Sequence, residues 1–470
     1  MSELKIEVWP RAVGNRPVRL HAIDSSSSPQ QLTGVRGFLI DAPESGRLRS
    51  WPDGGLIIDD GKIAEIGDYA TLAKKPRAER VRWLHSERVA VFPGLIDVHS
   101  HVPQYPSVAR GTSELLPWLR QHIFPLERDF TGTKGRREAA AFFAELARQG
   151  TTTAMLYTAI YEDSCEAAFH AAAQSGLRII MGKMMMDIGS YGDLPVEKIL
   201  ALSLEQSERL CQTWHGANGG LLEYAFSPRF APACSEEMMR SAAALAATHG
   251  AYVQTHLAEN IEEIEMVRRQ YSWAQDYTEV YDRCGLLTPR TMLGHCIHLS
   301  PTEREAIAAA GSSVAHCPTA NLFLSSGILP LDTTRAAGLR VGLGSDVAAG
   351  PELNLWRVMR GAIESQKARS FYERNVEVPS PSTALHLATQ GGAEALGKGS
   401  TIGSFEIGKD ADLAVLNFAA LLPYRQSSQA NDLAAEDIVS LCVYRGGPEA
   451  VVETFVQGRS VYRAPEPELF

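Results

Sequence analysis

No apolar run in this 470-residue sequence approaches the ~20 residues that a membrane-spanning helix needs. The opening stretch, MSELKIEVWPRAV, lacks the basic then apolar pattern of a secretory signal, so a soluble protein is expected. Cysteine is sparse. The seven residues (165, 211, 234, 284, 296, 317 and 442) are odd in number and far apart, which is not a disulfide framework and fits a reducing cytoplasm. Positive charge is in deficit: 45 Lys and Arg stand against 55 Asp and Glu, a net charge of -10. Such a field repels phosphate backbones and anionic lipid at long range, so neither nucleic acid nor a membrane is expected as a partner. A small neutral substrate suits the balance better. Internal repeats are absent, and the one low-complexity piece is the Ser run 25–28 before Pro29, which reads as a loop.

What is present is the composition of a packed enzyme, with 45% apolar and 21% charged residues. A (β/α)8 barrel takes about 250 residues, so the length leaves room for an accessory domain. Residues 1–90 break into short β-like pieces such as 37–40 and 56–58, separated by Asp-Gly and Ser-rich turns. Residues 401–470 repeat that texture at 411–417, 450–456 and 460–462, with a Gln457-Gly458 turn before the last piece. The two ends are expected to build one small β-sandwich. Between them, in 91–400, apolar runs alternate with longer amphipathic stretches, the rhythm of a parallel sheet buried on both faces. Eight runs fit an α/β TIM barrel: 89–98, 152–158, 177–186, 221–227, 251–255, 290–294, 312–315 and 339–344.

Parallel barrels carry function at the C-terminal ends of their strands. The first run ends in Pro93-Gly94-Leu95-Ile96-Asp97-Val98-His99-Ser100-His101. Residues two apart in a strand share a face, which points both imidazoles into the barrel mouth. His256 ends the fifth run, His295 the sixth and Asp346 the eighth, so each further metal-ligating residue falls where a site belongs. Three histidines and a carboxylate suit Zn2+, with Fe2+ also admissible, and leave a position for water. One metal is expected, because Lys183 sits on the third run, too early to bridge a second ion. Zinc lowers the pKa of a coordinated water from 15.7 to about 7, yet attack on an aromatic ring also needs a proton delivered to a ring nitrogen. Glu259, three residues past His256, is placed to deliver it. His295 serves either as a ligand or as a group beyond the ligands that polarises the attacking water; spacing does not separate these roles, and the second is preferred. His316 is a lesser candidate at the end of the seventh run, and His298 reads as part of the loop after His295. His122, His170, His215 and His249 read as helix or turn residues.

These residues, with Gln104-Tyr105, Trp118-Leu119, Phe124-Pro125, Ser227-Pro228-Arg229-Phe230, Gln254 through Asn260, Tyr277 through Tyr281, Ala315-His316-Cys317-Pro318, Asn321 through Gly327 and Gly342 through Val347, resemble the amidohydrolase superfamily, and within it the guanine deaminase family. The resemblance covers nearly the whole chain. It implies that His99, His101, His256 and Asp346 bind zinc and that Glu259 shuttles protons, with Asp346 and His295 sharing the catalysis. It also implies that Gln104, Arg229, Phe230, His295 and Glu259 hold a purine, and that the chain pairs as a homodimer. Physically, a guanidinium donates to a purine carbonyl, and a glutamine amide both donates and accepts along that edge. Ser345, Ala349 and Thr319-Ala320 depart from the family's usual residues and touch pocket shape more than chemistry. Two other readings remain at this stage: an aminohydrolase acting on a triazine, a pterin or an oxidised purine, and a barrel scaffold without chemistry.

Overall fold

The computed structural model describes residues 32–465 apart from 87, 112–113, 193–194 and 424–432. The Ser run 25–28 and the rest of the first 31 residues lie outside them. Two sheets organise the described chain. The first begins with the strands β1 (Leu32–Glu44), β2 (Arg47–Asp59) and β3 (Lys62–Asp68), an antiparallel meander, and with β4 (Val81–Leu84) and β5 (Ala90–Pro93), both parallel to β1. The second holds β6 (Leu95–His101), β7 (Thr151–Tyr157), β8 (Arg178–Gly182), the short β9 (Met184–Met185), β10 (Leu222–Pro228), β11 (Tyr252–Leu257), β12 (Thr291–His295), β13 (Ser313–His316) and β14 (Arg340–Leu343). The chain then returns to the first sheet as β15 (Leu413–Leu416), β16 (Val451–Val456) and β17 (Arg459–Arg463).

Strands β6 to β14 pair in parallel in chain order, apart from β9, which lies beside β10. They are lined almost wholly by buried residues, because helices cover their outer face. The seam between the last strand and the first is closed by the backbone N–H of Asp346, which donates to the His99 carbonyl at 2.8 Å. The Ser345 N–H beside it donates to Asp97 Oδ1 at 3.0 Å. The result is the (β/α)8 barrel expected from the alternating runs.

The first sheet runs in the order β17-β16-β15-β5-β1-β2-β3, so both ends of the described chain build it. It wraps round its own small core of Val35, Leu39, Leu56, Ile58, Val91, Leu413 and Phe455. Edge strand β3 then meets the segment leading to β15, where Ile63 N donates to Lys409 O and Ala411 N to Gly61 O, each at 2.8 Å. The sandwich is one continuous ladder folded over.

Two details differ from the sequence reading. Asp53-Gly54, which reads as a turn, lies inside β2, where a bulge opposite 37–39 absorbs the extra residue and Pro52. The missing Cβ atoms of Gly54 and Gly55 make room for Leu39 and the Trp83 ring, so these glycines serve close approach rather than reversal. The genuine turns are at Gly46, Asp60-Gly61 and Gln457-Gly458, all with positive φ. The run 89–98 is likewise two strands in two sheets. The chain crosses from β5 to β6 over Gly94, where a side chain would collide with Thr152. Buried Arg178 ties the two parts together through Asp410 at 2.7 Å and Asp412 at 3.4 Å.

Candidate active site

His99 and His101 arrive on β6, whose register with β7 is broken between Asp97 and Ser100. Asp97, Ser100 and Ser345 knit this irregular end to the segment after β14: Ser345 Oγ donates to Asp97 Oδ2 at 2.5 Å and lies 3.0 Å from Ser100 Oγ. His256 lies near the end of β11 and His295 ends β12. Asp346 lies three residues past β14, on the loop rather than the strand. His295 and Asp346 hold left-handed backbones, with φ of 67° and 45°. Non-glycine residues seldom adopt that conformation, and it persists only where surrounding contacts impose it.

The side chains converge. Asp346 Oδ1 stands 3.4 Å from His99 Nε2 and 3.3 Å from His101 Nε2. His256 Nε2 is 3.3 Å from His101 Nε2. The His256 ring donates through Nδ1 to the Arg229 carbonyl at 2.6 Å, which leaves its Nε2 lone pair facing the other imidazoles. Burial, then the neighbouring imidazoles, hold His256 well below the usual histidine range, and burial brings His101 to about 4. Both are therefore neutral, the state that ligates. Burial alone would raise Asp346, but His101 and His99 pull it well below the usual carboxylate range, so it is an anion.

Lone pairs this close repel unless something positive lies between them. His99 Nε2 and Asp346 Oδ2, both buried, find no hydrogen-bond partner among the described residues. The ligating atoms of His99, His101 and His256 lie within 4.8 Å of one another, as do those of His99, Cys317 and Asp346. A divalent cation fits this donor set. Cys317 is the weaker candidate, because burial pushes its thiol well up and keeps it protonated.

Beside this group lies a pocket of about 370 Å³ of empty space, counted to its open mouth. Its walls include Gln104, Trp118, Arg229, Phe230, Glu259 and His295. Every site residue expected from the sequence therefore meets here or in the metal group. Glu259 follows Ala258, whose φ is 50°, and its carboxylate accepts from Ser326 Oγ at 3.0 Å and lies 3.5 Å from His295 Nε2. Burial and the charge of Asp346 push it up to about 8, which keeps its proton available at neutral pH. Lys183 is buried away from the ligands, 3.0 Å from Ser203 Oγ.

Several contributors have no role in the sequence reading. Glu127 accepts from both Gln104 and Arg229, Asn321 accepts from His295, and Ser326 holds Glu259. Each acts across elements distant in sequence. The signal for Glu127 is the Phe124-Pro125 pair that opens its helix, and for Asn321 and Ser326 the stretch 321–327, which resembles the family but is given no role there. His298 has more than a loop's part, since its Nε2 lies 2.8 Å from the Ser326 carbonyl. His316 is buried with neither ring nitrogen hydrogen-bonded to the described residues, and burial lowers it to about 3.

A parallel barrel that gathers imidazoles and an aspartate at its strand ends is the scaffold of metal-dependent hydrolases, and the chain belongs to the amidohydrolase family, which its residues 90–461 match. Its relatives within that family are specific. It is 34% identical to guanine deaminase of Escherichia coli (strain K12) over 446 residues, covering 93% of this chain and 99% of that protein. With the guanine deaminase of Rattus norvegicus it shares 32% over 426 residues, 86% of this chain and 91% of that one. The solved E. coli guanine deaminase superposes with a TM-score of 0.85 at 33% identity, covering 92% of this chain and all (100%) of that one. Guanine deaminase from C. acetobutylicum, solved with guanine bound in its active site, gives 0.84 at 29% identity over the same shares, 92% and 100%.

Proposed function

We propose that this chain is a guanine aminohydrolase, converting guanine and water to xanthine and ammonia in purine breakdown. The observation that carries the reading is the placement of Glu259, a buried carboxyl poised near 8, in the pocket whose walls also hold Gln104, Arg229 and members of the metal group. A single zinc ion held by His99, His101, His256 and Asp346 would supply the Lewis acidity that brings a coordinated water to neutral-range ionisation. The remaining steps belong to the protein.

Arg229 donates to the purine carbonyl, Gln104 meets the neighbouring ring nitrogen, and Phe230 closes over the ring. Protonated Glu259 gives its proton to N3 as water adds at C2, and Asp346 takes the proton that the water releases. The C2–N bond then breaks: Asp346 returns its proton to the departing amine, and Glu259 recovers one from the new C2 hydroxyl. Both carboxyls end as they began. His295 steadies the attacking water.

The test follows guanine consumption and ammonia release by purified protein whose bound metal has been counted, beside Arg229→Ala. Turnover with one zinc per chain, lost in the variant, is the expected result. Zinc binding without guanine turnover would refute the substrate, and turnover of a triazine or pterin instead would name the other chemistry. Absence of bound metal would sink the mechanism. The homodimer, the cytoplasmic setting and the division into 1–90, 91–400 and 401–470 are proposed on the same footing, the first to be checked by light scattering.

A further inference from the structure

We infer that Glu127 is a positioning residue that dictates which edge of a heterocycle the pocket accepts, an inference that rests on the guanine reading. Glu127 lies on the helix Phe124–Asp129, fully enclosed, and both of its oxygens are engaged. Gln104 Nε2 donates to Oε1 at 2.9 Å, and Arg229 Nη1 donates to Oε2 at 2.7 Å. Gln104 and Arg229 are themselves 2% and 3% exposed, and both line the pocket. The guanidinium is further held over the Phe124 ring, 5.1 Å from its centre.

A carboxylate paired with arginine only accepts hydrogen bonds. Gln104 must therefore turn its NH2 toward Glu127, and its Oε1 becomes the atom offered on the other side. The usual freedom of an amide to flip is removed by its partner's chemistry. Arg229 Nη1 also donates to Met186 Sδ at 3.7 Å, which leaves the guanidinium N–H groups other than those of Nη1 to be offered to a ligand. The pocket wall thus presents donors from Arg229 beside an acceptor from Gln104. Its complement is a ring carbonyl next to a ring N–H. An amino group next to a bare ring nitrogen would set donor against donor and lone pair against lone pair. Sites built this way reject the mismatched analogue far more strongly than apolar pockets do.

Glu127→Gln dissolves the constraint, because two facing amides can pair in either orientation. Metal-loaded native protein, Glu127→Gln and Glu127→Asp are compared for kcat and KM on guanine and on 2,6-diaminopurine, with ammonia release as readout. The second compound carries the same 2-amino group with the 6-edge inverted. Native protein should prefer guanine by at least ~100-fold in kcat/KM. Glu127→Gln should cut that preference at least ~10-fold, chiefly by raising the guanine KM. Glu127→Asp keeps the charge opposite Arg229 but cannot span both partners, and should fall between; it carries the test if the glutamine variant does not fold. An unchanged preference overturns the inference, as does an equal loss on both purines with KM unmoved. Native protein inert toward both purines would refute the guanine reading itself, a result separable from any variant's.

Discussion

Asn321 Oδ1 accepts a hydrogen bond from His295 Nδ1 at 2.9 Å, and so turns the ring's Nε2 to 3.5 Å from Glu259 and 3.8 Å from Asp346. Asn321 reaches His295 from the helix Pro318–Phe323, which follows β13. Without this tether the imidazole is free to rotate. Asn321→Ala should lower kcat by roughly 10- to 100-fold while bound metal stays constant. Steady-state kinetics beside metal counting checks this, and a native kcat would dismiss the tether.

Glu259 is held by Ser326 through its side chain, and its backbone N–H donates to Glu263 at 3.0 Å. Its proposed work is proton transfer, which contributes on the order of 10²- to 10⁴-fold. Glu259→Gln should therefore lose about three orders of magnitude in kcat and keep its metal. Ser326→Ala, which only frees the carboxyl, should lose about tenfold. Metal lost from the glutamine variant would contradict a role confined to protons.

Lys183 yields a pH prediction away from the metal group. Burial lowers its ammonium from 10.5 to about 8, and among the described residues its side chain donates to Ser203 Oγ, at 3.0 Å, and to the Met184 carbonyl, at 3.5 Å. Between pH 8 and 10.5 the unfolded chain binds this proton and the folded protein does not, so stability rises with pH across that window. Below pH 8 both states are charged and the full desolvation cost stands. Lys183→Met should thus stabilise the protein at pH 7 by on the order of 2 kcal/mol, a gain that shrinks as pH approaches 10.5. Denaturant unfolding at several pH values measures it, and a gain independent of pH would contradict the assignment.

Gly182 ends β8 where a Cβ would strike the Ala225 carbonyl and the Ser227 hydroxyl of β10. Gly182→Ala should destabilise the barrel by more than about 3 kcal/mol, since a backbone carbonyl in a sheet has little room to move. Thermal unfolding near the native midpoint would show that the strands can part there.

The parts of this protein legible in its sequence are those written in short range. The barrel runs show as apolar stretches because both faces of each strand are covered, and His99, His101, His256, Glu259 and Asp346 show because their strands deliver them at regular places. Periodicity does not reveal that one run feeds two sheets: β5 and β6 read as one apolar string, and only Gly94 marks the crossing. Nor does Asp53-Gly54 announce a bulge, since the same dipeptide serves a turn when no bulky side chain approaches. The roles of Glu127, Asn321 and Ser326 were hidden for a different reason. Each matters through hydrogen bonds to residues that the fold alone brings near, two for Glu127 and one each for the others, and on its own element each looks ordinary.

The seam bond from Asp346 N–H to the His99 carbonyl joins the first barrel strand to the loop after the last, and the same two residues face each other through their side chains. The donor set is therefore complete only when the ring of strands has shut. During synthesis the early histidines wait for most of the chain to emerge before their aspartate partner exists. A metal held there would act as a clasp, drawing its affinity from closure and returning it as resistance to opening.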